Sequence, residues 1–465
     1  MKPEIFFAAL ALTGCVAGPD FTPPQAPLTT RYGAEPQPDV ATTTLPADAA
    51  PEWWQIFASP KLDQTVRTAF AGNRNLKAAQ QSLVQANEIY GASRGARLPE
   101  LTGTAGAGRN QYGAAFLGTF NLPPFTYYSV GANVSYALDL AGGVKRSIEE
   151  QRALAEVKRH ELSAAQLSLA GNVVLQAFAM ASARAQIQAV EAVIEEDNRN
   201  VELVRQALQE GSVARVDLLS AESQLAQDQT LLPPLRQDLS VARHALAVLV
   251  GQPPGEWSPP DFALDDFTFP AELPLSLPSE LAHRRPDIRA GEARLHAATA
   301  AVGVAVARIY PQISLGGSLS QQTLSVNNLF DRASNAWGLA GNLSAPIFNG
   351  GKLRARRRAA EAGMREELAR YEQTVLAAFG QVADVLAALQ HDAEQAAAQQ
   401  RALDVAESNV ALTRESYAAG NAGVLQILDA ERLVQRARVG AARARAARMQ
   451  DAAELILALG GDSPT

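Results

Sequence analysis

The sequence predicts an α+β membrane protein in which four amphipathic strands per chain are continued by long coiled-coil helices. Three observations predict this fold class. A pattern of about 210 residues occurs twice along the chain. Each copy contains short stretches that alternate strictly between apolar and polar residues, followed by a very long stretch without proline. Alternation of period two is typical of strands, and long proline-free apolar periodicity is typical of helices.

The repeat is clearest at one helical corner. Residues 417–433, YAAGNAGVLQILDAERL, match residues 208–225, LQEGSVARVDLLSAESQL, at an offset of 209 when Gly420 is placed on Gly211. Residues 76–99 match 288–311 at an offset of 212, and both end in proline. The predicted organisation is a signal peptide (1–14), an acylated N-terminal arm (15–60), a first repeat (61–252), a proline-rich linker of the equatorial region (253–279), a second repeat (280–460) and a C-terminal tail (461–465).

Two stretches in each copy predict strands. In residues 128–140 every second residue from Val130 to Leu140 is apolar, and residues 312–320 and 337–344 follow the same pattern. The strand around residues 101–107 has the weakest pattern. Such alternation puts one face of a strand in an apolar setting and the other in water.

Four strands cannot span a membrane by themselves, because open sheet edges would leave backbone groups unpaired in lipid. We therefore expect the chain to oligomerise. A trimer would close twelve strands into a water-filled barrel, continued by a second barrel of coiled helices.

The helices are predicted from proline-free stretches at residues 144–210 and 352–419. Each would be about 100 Å long as a single helix. Apolar positions spaced by three, four and seven residues predict that these helices coil on returning partners. The shorter helices, 73–98 and 212–250 in the first copy, are expected to stack end to end beside the long one, with a kink at Pro233-Pro234.

The N-terminus, MKPEIFFAALALTGC, resembles a bacterial lipoprotein signal. Its apolar run is too short to span a bilayer as a helix, which is typical of a signal peptide. Leu12 to Cys15 resemble the lipobox, in which cleavage precedes an acylated cysteine, and Cys15 is the only cysteine in the chain. Val16, the residue after this cysteine, implies that the lipoprotein is sorted to the outer membrane. The alternative is an ordinary secretory signal that ends in a buried thiol.

Charge and composition exclude several classes of function. The net charge of -7, from 41 Lys and Arg against 48 Asp and Glu, argues against nucleic-acid binding. The five histidines have no metal-ligand spacing, and no nucleophile motif occurs, so we expect no enzyme, metal or cofactor. The basic run KLRARRR (352–358) is interpreted as a solvated helix start paired with Glu361, Glu366 and Glu367, with a nucleic-acid or anionic-lipid patch as the alternative.

Several motifs resemble those of the outer-membrane channel components of tripartite efflux systems, the TolC and OprM class, in its NodT-type lipoprotein branch. They are GPDFTPP (18–24), WWQIF (53–57), residues 281–315 with RRPDI, APIFNGGKLRA (345–355) and the corner at 417–433. The resemblance implies a trimeric outer-membrane β-barrel continued by a long periplasmic α-helical barrel. It also implies four kinds of partner: two further copies of the chain, a periplasmic adaptor (membrane fusion protein), an inner-membrane pump of the resistance-nodulation-division type, and outer-membrane lipid.

By the same resemblance the corners at Gly211 and Gly420 are periplasmic tips that close the tube. Each corner carries one aspartate, Asp217 in one copy and Asp429 in the other. Asp429 matches an aspartate ring at the narrowest point, and Asp217 and Tyr417 match a pair that ties the inner hairpin to its neighbour.

The chain departs from TolC at two positions of this closing network. Ala422 replaces an arginine and Gln426 a second aspartate, which leaves Gln426 as a neutral member of the gate. Asp429, Asp217 and Tyr417 could instead be ordinary solvated side chains. The expected function is a passive exit duct for small molecules. A periplasmic coiled-coil scaffold lipoprotein without a pore, or a duct for protein secretion, are the alternatives.

Overall fold

The computed structural model describes residues 16–25, 32, 42–44, 52–111, 123–270, 272–275, 281 and 284–461. Cys15 and the signal peptide lie outside these residues. The helices and strands, in chain order, are β1 (Thr42–Thr44), α1 (Pro60–Gly72), α2 (Arg74–Gly95), β2 (Glu100–Asn110), β3 (Phe125–Leu138), α3 (Gly143–Gln209), α4 (Arg215–Gln229), α5 (Leu232–Leu249), β4 (Leu273–Leu275), α6 (Pro286–Ala307), β5 (Gln312–Thr323), β6 (Asn335–Ser344), α7 (Lys352–Ala418) and α8 (Val424–Ala458).

The chain divides into two compact units. The first, here called the sheet unit, comprises the chain up to Pro24 and residues 83–158 and 291–371. The second, the hairpin unit, comprises residues 25–82, 159–290 and 372–465.

Four antiparallel strands form the sheet of the first unit, in the order β2-β3-β5-β6. This confirms the prediction of four strands per chain, and the weakly patterned first strand extends over Glu100–Asn110. The register aligns Leu101 with Val134, Val134 with Gly317, and Gly317 with Leu339. Because directly opposite residues share a face, the apolar positions of all four strands lie on one side of the sheet.

The apolar face of the sheet is exposed in the single chain. Trp337 and Leu339 are 74% and 81% exposed, and Leu101, Leu319 and Leu343 are exposed as well. The opposite face carries small and polar residues, among them Thr102, Asn133, Ser318, Ser314 and Asn342. The predicted alternation is therefore confirmed in three dimensions.

The long helices are confirmed, since α3 and α7 contain 67 residues each. The returning segment of the first copy is interrupted at Thr230 and Leu231. The next helix, α5, begins at Leu232 and has the doublet Pro233-Pro234 in its first turn. Proline lacks the backbone N–H that an interior helical position needs, so the doublet is tolerated only where a new helix begins. The second copy lacks the doublet, and its returning helix α8 runs unbroken for 35 residues.

The shorter helices meet end to end within the hairpin unit, as predicted. Asn73, before the start of α2, donates from its side-chain amide to the carbonyl oxygen of Leu249 at the end of α5, at 2.8 Å. In the second copy Arg285, before α6, donates to the carbonyl oxygen of Ala458 at the end of α8, at 2.7 Å. Each side chain thus satisfies a helix-terminal carbonyl that has no partner within its own helix.

An aromatic cluster fixes the linker on the hairpin unit. Phe178 of α3 makes edge contacts with Phe57 and Phe267, with ring centroids 5.0 and 4.9 Å apart. Asp261 and Asp266 of the linker form ion pairs with Arg184 and Lys61. The N-terminal arm joins the same region, because β1 pairs in parallel with β4.

The basic run at the start of α7 is exposed, and the interpretation of its pairing was correct only in part. Arg357 forms an ion pair with Glu361 at 2.7 Å. Glu366 and Glu367, however, pair with Arg370 one turn further along the helix. Their side chains reach residues three and four positions away, and most of the basic run is too distant along the helix for such a contact.

Candidate functional site

The two helical corners have the same hydrogen bonds at equivalent positions. Gly211 and Gly420 adopt positive φ angles of 75° and 76°. Their amides donate to the carbonyl oxygens of Leu208 and Tyr417, and the next residues donate to Ala207 and Ser416. This left-handed termination of a helix favours glycine, because a Cβ atom is strained there. The repeated glycine is therefore explained by the turn itself.

The helices that follow the corners are capped in the same way. The Asp217 carboxylate accepts a hydrogen bond from the backbone N–H of Ala214 at 2.9 Å. The Gln426 side-chain carbonyl accepts from the backbone N–H of Gly423 at 3.0 Å. Because a helix start leaves backbone donors without intrahelical partners, each side chain stabilises the beginning of the returning helix.

This capping shows which residues of the two corners are equivalent. The structural counterpart of Asp217 is Gln426. Asp429 lies three residues further along, where the first copy has Ser220. The signal for this assignment is present in the sequence, since Asp217 and Gln426 are separated by the same 209 residues as the two glycines.

An arginine-glutamate pair connects the two helices of each hairpin near its corner. Arg205 contacts Glu222 at 3.2 Å in the first copy. Arg414 contacts Glu431 in the second. Both pairs join residues 17 positions apart, and their members differ by 209 residues. Exposed ion pairs of this kind contribute about 0.2–1 kcal/mol each to the free energy of unfolding. Their main effect is therefore on how the two helices of a hairpin align, and less on the stability of the hairpin.

The other two predicted gate residues, Asp429 and Tyr417, are exposed, and their side chains do not cap a helix. Asp429 is 64% exposed, and its carboxylate lies 3.5 Å from Arg432 on the next turn. Tyr417 is exposed and stands where the first copy has Leu208. Among the hydrogen bonds of the described residues, none joins Tyr417 to Asp217 within the chain. The structure thus brings the four residues to the two corners without connecting them.

The corners differ in how much apolar surface they expose. Leu219 of the first copy is 55% exposed, while its counterpart Leu428 is 7% exposed. The second hairpin also has a buried cluster of Val410, Ala430 and Val434. Val216 and its counterpart Leu425 are both exposed, at 64% and 40%, so the main difference between the corners lies at Leu219 and Leu428.

A buried group of charged side chains lies away from the corners, where Asp228 of the first hairpin meets Arg436 of the second, and sequence analysis did not find it. Asp197 of α3 and Asp228 of α4 are 4% and 3% exposed, and their carboxyl groups are neighbours. Arg436 of α8 lies 3.3 Å from both carboxylate oxygens of Asp228. Gln224 donates a further hydrogen bond to Asp228 at 2.8 Å.

Burial and the neighbouring Asp228 raise the pKa of Asp197 to about 6. Burial opposes ionisation of Asp228 too, but hydrogen bonds from Gln224 and Asp197, together with Arg436, lower its pKa. Below about pH 6 the pair therefore holds one proton, and the contacts of Asp228 with Gln224 and Arg436 favour its ionised form over that of Asp197. Burial and the neighbouring carboxyl group of Glu431 on α8 likewise raise the pKa of Glu196 on α3.

The residues that follow Cys15 have a defined place in the sheet unit. Val16 lies at Gly142, between the end of β3 and the start of α3, and the Ala17 amide donates to the Ala141 carbonyl at 3.0 Å. The buried guanidinium of Arg146 donates to the Ala17 carbonyl and to Asp20. The residues of the GPDF motif are thus fixed where the sheet joins a long helix.

Replacing Asp197 with Asn is expected to raise the melting temperature at pH 7.5 and to raise it much less at pH 4.5. Folded Asp197 retains a proton up to about pH 6, whereas the unfolded chain releases it near pH 4. Stability therefore falls as the pH rises through this window, and the neutral amide avoids the loss. The expected gain is a few degrees, since 1 kcal/mol shifts the melting temperature by about 2–4 °C.

The measurement is thermal unfolding by circular dichroism at both pH values. The exposed Asp238→Asn serves as the control on the same hairpin and should change neither value. An equal effect of Asp197→Asn at both pH values would contradict the shared proton.

Comparison with known proteins identifies the family. The family model of the outer membrane efflux protein matches residues 65–252 and 277–461. The pyoverdine export outer membrane protein OpmQ of Pseudomonas aeruginosa is 32% identical over 88% of this chain and 87% of its own length. The cation efflux system protein CusC of Escherichia coli K12 is 29% identical over 98% of each chain. The solved outer-membrane channel OprN has a TM-score of 0.82 and 30% identity over 96% of this chain and 99% of its own. The chain belongs to the outer membrane efflux protein family and is a protein of the outer membrane.

Proposed function

We propose that the protein is the exit duct of a tripartite efflux pump and passively conducts small molecules across the outer membrane. The exposed apolar face of the sheet carries this proposal. Trp337, Leu339 and Leu343 would expose apolar surface to water in a periplasmic scaffold, whereas a bilayer solvates it. The opposite face, with its Ser, Thr and Asn side chains, suits a water-filled channel.

A trimer completes this channel. Within the described sheet, β2 and β6 are edge strands with one paired side each. Pairing β6 of one copy with β2 of the next closes a barrel and removes both edges. This is the reason to prefer a homotrimer to a monomer that spans the membrane.

A periplasmic adaptor and an inner-membrane pump of the resistance-nodulation-division type are the proposed partners. The exposed Val216 and Leu219 at the first corner form an apolar surface that an adaptor can cover. The cargo is a small molecule, and OpmQ and CusC are named for two chemically different cargoes, pyoverdine and cations. We assign substrate choice to the pump and adaptor for this reason.

The exit-duct proposal predicts that detergent-extracted protein has the mass of a trimer and forms stable pores in planar lipid bilayers. The expected pores are wide and water-filled, because the sheet face opposite the lipid is polar. Mass photometry and single-channel recording are the two measurements. A monomer, or a trimer that forms no pores, would favour the periplasmic scaffold instead.

The proposed gate is the second corner, with Asp429 as a ring of three carboxylates around the trimer axis. Like charges around one axis favour cations and raise the proton affinity of the ring. Asp217 and Tyr417 are proposed to tie neighbouring hairpins together, and Gln426 remains a neutral member. Opening then requires the hairpins to move apart when adaptor and pump bind.

Replacing Asp429 with Ala should raise single-channel conductance or weaken cation preference, each by about twofold or more, because the ring is the proposed electrostatic constriction. Tyr417→Phe, which removes only the hydroxyl, should raise the fraction of time that the channel is open. Glu415→Ala, an exposed carboxylate on the same hairpin, is the matched control and should change neither property. If Asp429→Ala conducts like the parent protein while it remains trimeric, the ring lies elsewhere.

Cys15 is proposed as the lipid attachment site. Val16, its neighbour in the sequence, lies where β3 ends and α3 begins, which is the boundary between the proposed membrane strands and the periplasmic helices. Acyl chains on Cys15 would therefore enter the bilayer next to the barrel. This position suits a lipoprotein better than an ordinary secreted protein.

Metabolic labelling with radioactive palmitate tests this attachment. The parent protein is expected to incorporate label and Cys15→Ser to incorporate none, since the cysteine is the only thiol in the chain. An unlabelled parent protein that is nevertheless processed and exported would show that the signal is an ordinary secretory one.

A further inference from the structure

The four junctions between strands and helices lie at one end of the sheet. There β2 and β5 begin after α2 and α6, and β3 and β6 end before α3 and α7. The register agrees, since Gln312 is opposite Ser344 and Ile313 is opposite Leu138. We call this the helix end of the sheet. In the proposed duct it is the end that faces the periplasm.

Exposed basic side chains surround the helix end. The largest group is the run KLRARRR at the start of α7, and smaller groups lie near the adjoining ends of α2, α3 and α6. We call the following exposed residues the basic collar: Arg94, Arg97, Lys145, Arg308, Lys352, Arg354, Arg356 and Arg358. All of them belong to the sheet unit.

The acidic residues near the collar do not neutralise the basic run of α7. The Asp139 carboxylate accepts a hydrogen bond from the backbone N–H of Lys145 at 2.8 Å. Asp20 and Glu149 pair with the buried Arg146. Among the ion pairs of the described residues, none includes the four collar residues of this run. The start of α7 therefore carries positive charge without a counter-charge from its own chain.

This charge is placed where it does not stabilise the helix. The N-terminus of a helix carries a partial positive charge, which favours carboxylates and disfavours cations. The four collar residues of α7 nevertheless lie within its first seven residues. Helix formation thus does not explain the run, whereas binding of an anion outside the chain would.

The opposite end of the sheet lacks such a concentration of charge. The chain between β2 and β3, residues 111–124, contains no charged residue, and residues 324–334 contain only Asp331 and Arg332. The strands β3, β5 and β6 contain no charged residue either. The basic residues are therefore concentrated where strands suited to hydrocarbon give way to helices suited to water.

Exposed apolar residues lie between the strands and the collar. Ile347 and Phe348 separate β6 from the basic run and are 98% and 92% exposed. Tyr310, between α6 and β5, is exposed as well. This order of apolar, aromatic and then cationic side chains matches the change from hydrocarbon to headgroups at a membrane surface. Long Lys and Arg side chains can reach the headgroups from the first turns of a helix.

We propose that the basic collar binds the headgroups of anionic glycerophospholipids in the periplasmic leaflet of the outer membrane. The proposal rests on the proposed membrane-spanning sheet and adds a preference among lipids. Guanidinium groups donate paired hydrogen bonds to phosphate, and each cation near an anionic bilayer adds to the attraction. Val16 lies at the same end of the sheet, at Gly142. Acyl chains on Cys15 and the collar would then engage the same leaflet, and two such signals together give stable anchoring.

Electron paramagnetic resonance of spin-labelled lipids tests the collar. The parent protein is reconstituted in phosphatidylcholine vesicles with a trace of spin-labelled phosphatidylglycerol or spin-labelled phosphatidylcholine. At low salt the phosphatidylglycerol label is expected to associate with the protein at least about threefold more strongly than the phosphatidylcholine label. This ratio should fall towards one in about 1 M NaCl, because the Debye length is then only about 3 Å.

Three double variants locate the preference. Arg356→Gln with Arg358→Gln should lose about half of the preference or more. Arg365→Gln with Arg401→Gln removes two exposed charges further along the same helix and should lose none. Arg356→Lys with Arg358→Lys keeps both charges and should keep most of the preference. Equal losses in the lysine and glutamine variants would overturn the electrostatic origin of the contact.

The possible results separate the collar from the proposed function. A parent protein that forms pores but associates equally with both lipids would overturn the collar and leave the duct intact. A preference that survives loss of Arg356 and Arg358 unchanged would place the lipid contact elsewhere and also overturn the collar. Failure of the parent protein to insert into vesicles would overturn both, since no sheet would then span the bilayer.

Discussion

The pairing of backbone groups at the edges of one four-stranded sheet is the constraint on which the rest of the structure depends. Each backbone N–H or carbonyl left without a partner in an apolar medium costs roughly 2–7 kcal/mol, and an edge strand presents a row of them. A sheet with the order β2-β3-β5-β6 has two such edges. In a bilayer these edges must pair with one another between copies, because no water is present to satisfy them. The apolar face, the oligomer and the duct follow from this single requirement.

The sequence predicted the long-range periodic parts of the fold well. Strict alternation defines the strands, and 67-residue helices without proline leave few alternatives. The break at Thr230 and the end-to-end contact of the short helices were also predictable, because proline and helix length act locally. The pairing of Glu366 and Glu367 was mistaken because helix charges reach only three or four residues.

The candidate site was less predictable. The resemblance gave Asp217 and Gln426 roles in the gate, and the structure uses both side chains as caps of the returning helices. The pair of Asp197 and Asp228 depends on how antiparallel helices align, and a sequence without known contacts does not fix that alignment. Burial of two carboxylates without a counter-charge would be costly, so Arg436 and the retained proton are what make the contact between the hairpins tolerable. That contact also lies outside the sequence motifs that carry the resemblance to the family.

The comparison of the two corners indicates where function was able to diverge. The turn requires glycine at 211 and 420, a capping acceptor at 217 and 426, and an arginine-glutamate pair on the flanking helices. These positions are retained in both copies because their loss would disturb the corner itself. Tyr417 and Asp429 stand where the first copy has Leu208 and Ser220, and no bond that closes the turn uses either side chain. A phenol and a carboxylate could therefore arise in the second copy without a cost in folding, and such positions are the ones at which a duplicated hairpin can acquire a gate.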